Sequence, residues 1–196
     1  MNIGVIAVQG SVIEHRNVLA RTKRDIDIIE VRHPEHMENL DGLILPGGES
    51  TTISKLLTNS GLFSLIQKMG KEGLPIMGTC AGCVLLASSL SDPINEKKTS
   101  LLGLMEISVS RNAFGRQKES FEAEVKIDGL GDFHGVFIRA PSITKVGGDC
   151  KPLARLGGNI VMAEQNNLLA LSFHPELTPD PRIHNYFLDK VEENSY

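Results

Sequence analysis

The chain has 196 residues, 41% of them hydrophobic, with 20 basic and 24 acidic residues and a net charge of −4. That length suits one domain with a proper core, and the acidic balance leaves no electrostatic footprint for nucleic acid; the one basic cluster, Arg21-Thr22-Lys23-Arg24, reads as the solvated end of a helix. Three cysteines argue against a disulfide scaffold and for a cytoplasmic protein, no basic n-region precedes the first apolar run, and no run approaches the roughly 18 apolar residues of a membrane span.

Residues 3–8 are continuously apolar, as buried parallel strands are. Gln9-Gly10 turns the chain, and Ser11 with Glu14 three residues later makes a capping box for a helix running to about residue 21. Residues 27–31 and 40–45 are the second and third strands, the latter ending at Pro46-Gly47-Gly48-Glu49-Ser50. Helices are expected over 51–57 and 62–69, a fourth strand over 75–78 and a helix over 81–90. Strands alternating with helices imply an α/β fold of three layers, a mostly parallel central sheet flanked by helices.

After residue 87 the pattern changes. Residues 88–100 read as a polar surface connection, and strands over 105–109, 121–127, 135–138, 160–163 and 168–172 make the second half strand-rich. A closing helix has Asp180 as N-cap, Pro181 at its first position and an apolar face of Ile183, Phe187 and Val191. No repeat, low-complexity tract or linker divides the chain, so residues 1–196 are expected to form one domain.

The stretch that organises this chemistry is Gly78-Thr79-Cys80-Ala81-Gly82. A strand end and a helix start meet there with almost nothing between them, which places Cys80 on a nucleophile elbow whose small flanking residues permit a strained turn. A cysteine at a helix start is favourably placed as a nucleophile. Such a residue needs a base, and the base an orienting partner. Of six histidines, His15 and His184 fall in expected helices and His33 and His36 flank a loop proline, so all four read as surface residues. His174 instead follows an apolar strand, at the kind of strand end where open α/β sheets place their sites, and Glu176 is two residues away. The third strand ends at Gly47-Gly48, where backbone N–H groups are free to face a developing oxyanion. The Gly-Lys-Ser/Thr ending of a P-loop is missing there, and no Gly-x-Gly-x-x-Gly occurs, which excludes a nucleotide site.

Cys80 and Cys83 also match C-x-x-C. No second pair completes a zinc site, and no metal is expected. A thiol redox pair stays open as an alternative, as does a silent scaffold that only docks on a partner.

The elbow and the His174-Pro175-Glu176 ending resemble the class I, triad-type glutamine amidotransferases, a family with a flavodoxin-like three-layer fold. Leu45-Pro46-Gly47-Gly48-Glu49-Ser50-Thr51-Thr52, Arg111-Asn112-Ala113-Phe114-Gly115-Arg116-Gln117, Phe121-Glu122-Ala123 and Val136-Phe137-Ile138-Arg139-Ala140-Pro141 narrow the likeness to the glutaminase subunits of pyridoxal phosphate synthase. Val8-Gln9-Gly10 and Phe173-His174-Pro175-Glu176-Leu177-Thr178 fit as well, so the resemblance spans nearly the whole chain. Many amidotransferases of this class carry glutamine four residues after the nucleophile; Val84 stands there here, against a role in histidine or tryptophan synthesis. Cys83, where that subfamily more often has an aliphatic residue, is the one departure.

The resemblance implies hydrolysis of L-glutamine to glutamate and ammonia, with Cys80 as nucleophile, His174 as acid and base, and Glu176 orienting the imidazole. It implies oxyanion donors at Gly48 and Ala81, and substrate contacts from Gly48, Glu49, Ser50, Arg111, Ile138 and Arg139. It further implies no cofactor, and a partner synthase subunit that receives the ammonia in a hetero-oligomeric complex, with no nucleic acid and no membrane. Another synthase as the recipient remains the alternative within this class.

Overall fold

A computed structural model describes residues 1–91, 99–111 and 120–194. Its strands are β1 (Asn2–Ile6), β2 (Asp27–Val31), β3 (Gly42–Leu45), β4 (Ile76–Thr79), β5 (Ala87–Leu90), β6 (Met105–Ser110), β7 (Ser120–Ile127), β8 (Gly131–Ile138), β9 (Ser142–Val146), β10 (Lys151–Leu156), β11 (Asn159–Gln165) and β12 (Leu168–Leu171). The helices are α1 (Val12–Leu19), α2 (Ser50–Asn59), α3 (Leu62–Lys71), α4 (Ala81–Leu86) and α5 (Arg182–Asn194).

The sheet runs in the order β2-β1-β3-β4-β12-β11-β10-β7-β8. Its first five strands are parallel, and from β11 outward each strand is antiparallel to its neighbour. A side ribbon of β5, β6 and β9 joins it at β11. The alternation of side chains along the parallel strands divides the core into two layers. Leu43, Leu45, Ile76 and Leu168 pack with residues of α2, α3 and α4, whereas Ile44, Met77, Leu169 and Leu171 face α5 and the aromatic residues Phe133, Phe137 and Phe173. This is the three-layer, mostly parallel architecture expected, with its antiparallel half built from the strand-rich second part of the chain.

Ile183, Phe187 and Val191 of α5 are fully buried, as their spacing requires. Asp180 caps this helix by accepting the Arg182 N–H at 3.0 Å. Replacing Phe187 by alanine should cost about 3–5 kcal/mol, the usual range for a fully buried phenylalanine, and chemical denaturation would measure it.

Several expectations need correction. The helix expected over 81–90 stops at Leu86, because Ala87 turns extended and pairs with Met105 in β5–β6. The apolar run continues across that boundary, so periodicity could not mark it. β9 and β10 were not expected: both are half-exposed, and Pro152 and two register shifts interrupt β10. Residues 88–100 are not simply a surface connection, since β5 enters the sheet and Thr99 is buried; residues 92–98 lie outside the described segments. Ser11 starts α1 without capping it, and its hydroxyl is committed elsewhere. His15 and His184 are not on the surface but fully buried, while His33 is exposed and His36 half-buried.

Candidate active site

The C-terminal ends of β1, β3, β4 and β12 lie side by side, and the loops that leave them build the site. Between β4 and α4, Cys80 adopts φ 48° and ψ −99°, a left-handed conformation that a non-glycine residue rarely holds. The turn is tight enough that a Cβ on Gly82 would collide with the Leu45 carbonyl, so only glycine fits at the second position of the helix. Gly47 is equally constrained: a Cβ there would run into the His174 ring. Glycine at 47 therefore lets the β3 loop close over the histidine.

His174 follows β12 and precedes a 3₁₀ turn over Pro175–Leu177. Its Nδ1 lies 2.7 Å from Glu176 Oε1, and both side chains are buried. Burial opposes a charged imidazole, but hydrogen bonds to the Cys80 sulfur and to Glu176 outweigh it and push His174 up to about 10. The ring is therefore primed to take a proton from the thiol. Burial likewise works against the Glu176 carboxylate, yet His15 and hydrogen bonds from His174 and Ser11 keep it below the usual carboxylate range. Cys80, His174 and Glu176 are thus brought together as a contiguous unit, with the Cys80 thiol donating to the Ile138 carbonyl at 3.7 Å.

In front of the sulfur lies a cavity of about 580 Å³. Gly48, Glu49, Ser50, Ala81, Arg111, Ile138 and Arg139, all singled out in the sequence, line it together with Cys80 and His174. Arg111 donates to Thr51 Oγ1, Thr99 Oγ1 and Glu49 Oε1, each at 3.3 Å. Glu49 also accepts the Thr51 and Thr52 N–H groups as N-cap of α2. Residues 112–117 of the motif that begins at Arg111 lie outside the described residues. Ala81 supplies the first N–H of α4, one of the donors a helix leaves without an intrahelical partner.

Cys83 behaves differently from Cys80. It is fully buried against the α2–α4 side of the core, and burial pushes its thiol up, away from the depressed range of redox-active cysteines. The three cysteines are free thiols. Cys83→Ala should cost about 1–2 kcal/mol through a small cavity and leave turnover near that of the parent chain, as paired stability and activity measurements would show.

Sequence reasoning missed four residues of this region. Gln9 Oε1 accepts the Glu49 N–H at 3.0 Å and pins the β3 loop, Ser11 donates to Glu176 Oε1 at 2.6 Å, and His15 and His184 lie beneath the triad. A signal for the two histidines was present: His15 shares a helical face with Val18 and Leu19, and His184 with Phe187 and Leu188.

A mostly parallel α/β sheet with a cysteine, a histidine and a glutamate gathered on one edge defines the class of triad-type glutamine amidotransferases. The chain belongs to the SNO glutamine amidotransferase family, whose model matches residues 5–193. It is 52% identical over 192 residues to a pyridoxal 5′-phosphate synthase subunit PdxT from Pelotomaculum thermopropionicum, covering 97% of this chain and 95% of the relative. A subunit of the same name from Methanosarcina mazei is 48% identical, with 97% and 98% covered. A crystal structure of a glutamine amidotransferase superposes with a TM-score of 0.90 at 47% identity, covering 97% of this chain and 98% of that one. A GMP synthase subunit from Thermoplasma acidophilum described as putative, at 18% identity and a TM-score of 0.68, shares the fold. No helix among the described residues is long and apolar enough to cross a membrane.

Proposed function

We propose that this chain is the glutaminase subunit of a pyridoxal phosphate synthase, one domain over residues 1–196 that hydrolyses L-glutamine and passes the ammonia to a synthase subunit. The observation that carries the chemistry is the contiguous Cys80–His174–Glu176 unit opening on a cavity large enough for one amino acid. The full-length likeness to PdxT subunits supports the choice of synthase over other recipients of ammonia.

His174 takes the Cys80 proton, and the sulfur attacks the side-chain carboxamide carbon of glutamine. The N–H groups of Gly48 and Ala81 receive the oxyanion, each worth about 3 kcal/mol in comparable sites. The C–N bond then breaks, the nitrogen leaves with the His174 proton as ammonia, and a thioester remains on Cys80. Water, deprotonated by His174, adds to the thioester; the C–S bond breaks and glutamate departs. Glu176 fixes the imidazole with its Nδ1 proton inward and balances the charge that His174 acquires.

In this reading Arg111 pairs with the α-carboxylate of glutamine and Glu49 takes the α-amino group, a division supported by both side chains lining the cavity in contact with one another. Ser50, Ile138 and Arg139 complete the wall around the substrate. The reaction belongs in the cytoplasm, where three unpaired thiols stay reduced.

The test is steady-state release of glutamate and ammonia from glutamine, with the synthase subunit titrated in. Turnover of glutamine that rises as the synthase is added supports both the activity and the partner. Absence of glutamate release at every ratio would overturn the function.

A further inference from the structure

Glu176 is more deeply enclosed than an orienting carboxylate requires. Its Oε1 accepts the Ser11 hydroxyl at 2.6 Å as well as His174, whereas Oε2 is buried without a hydrogen-bond partner and faces His15 Nε2 at 3.6 Å. His15 Nε2 also lies 3.2 Å from Thr79 Oγ1, immediately before the nucleophile, and its Nδ1 lies 3.0 Å from His184 Nε2. The chain of groups therefore runs from α5 through α1 to the triad, and His15, Thr79 and His184 are fully buried.

The proton positions follow from the two ends of this chain. Exactly one nitrogen of the His15–His184 contact carries a proton. If His15 donated there, its bare Nε2 would face the Glu176 carboxylate, and His184 would be left with an unpaired buried N–H at Nδ1, which has no partner. Both are costly, since a buried donor without an acceptor loses its full solvation and two lone pairs repel. With the opposite arrangement, His184 Nε2–H donates to His15 Nδ1. His15 Nε2–H then points at Thr79 and Glu176, and the unpaired atom of His184 is only an acceptor.

We propose that Ser11 and His15, the latter oriented by His184, are positioning residues that hold the Glu176 carboxylate as an anion aimed at His174. This deepens the function proposed above and rests on Glu176 being the carboxylate of the triad. The titratable groups around Glu176 are His15 on α1, His174 beside it and His184 on α5, and Glu14 on α1 acts on His15. Burial holds His15 and His184 below the ordinary imidazole range, so Glu176 meets a neutral N–H dipole there and not a second cation. The charge paired with the carboxylate is then that of the His174 imidazolium, which the same contact favours.

The experiment follows the Glu176 carboxyl carbon and the imidazole nitrogens by NMR in the full chain, without substrate. The wild-type spectrum should show His15 and His184 each protonated at Nε2 only. In His15→Leu the Glu176 titration should move up by about one pH unit, a tenfold change in proton affinity. The same variant should lose about tenfold in kcat with KM for glutamine unchanged. His15→Gln restores a donor at the Nε2 position and should recover most of both. An Nδ1 proton on His15, or an unmoved Glu176 titration in folded His15→Leu, would overturn the proposal. Because the spectra need no turnover, they decide the positioning role even if the chain fails to hydrolyse glutamine, and the wild-type glutaminase assay decides the function separately.

Discussion

Replacing Cys80 by alanine should abolish glutamine hydrolysis, with turnover falling by on the order of 10⁴-fold or more, as when the nucleophile of a comparable triad is removed. The structure offers no substitute. Cys83 is fully enclosed in the core and cannot stand in for the sulfur at the elbow. Alanine keeps the Cβ that the left-handed turn already accommodates, so the fold and the cavity should persist. Glutamine binding by calorimetry should accordingly survive while product release does not. Equal loss of activity in Cys83→Ala would contradict the division of labour between the two thiols and revive a redox pair.

The second large effect separates the histidine from its carboxylate. His174→Ala removes the group that moves the proton in both half-reactions, and should approach the severity of losing the nucleophile. Glu176→Gln should be roughly 10²-fold less damaging, since in comparable triads the orienting carboxylate contributes less than the other two members. A glutamine oxygen can still occupy the Oε1 position and accept from both Ser11 and His174, so the ring keeps its orientation. What is lost is the negative charge that balances the imidazolium. Single-turnover rates in folded variants measure the difference, and a slower Glu176→Gln than His174→Ala would refute these roles.

The triad was legible because each member sits at a strand end with a local signature: glycines at 78 and 82 around Cys80, and proline after His174. The parallel half of the sheet was legible for a related reason. Strands buried on both faces are unbroken apolar runs, as β3 is, and the half-exposed edge strand β2 was also located to the residue. In the antiparallel half β7 was placed within a residue, but β9 and β10 were missed, because one face of each meets solvent and their apolar residues are interrupted. The buried histidines escaped notice for a different cause. A place in an expected helix does not say which face a residue occupies, and His15 and His184 stand in the apolar stripes of their helices and meet one another across the interior. Such a pairing between residues 169 positions apart has no local trace.

The position of β12 carries a consequence for biosynthesis. This strand is the last of the sheet in sequence, yet it lies in the middle, inserted between β4 and β11. Its register aligns Leu171 with Thr79, so the same pairing that closes the sheet delivers His174 to Cys80. A nascent chain emerges N-terminus first, and until Leu168–Leu171 is available the earlier strands have a gap where their centre should be. The elbow cysteine can form its turn beforehand, but it has no base. Catalytic competence and completion of the sheet therefore arrive in one step, and a growing polypeptide that lacks β12 holds no working glutaminase.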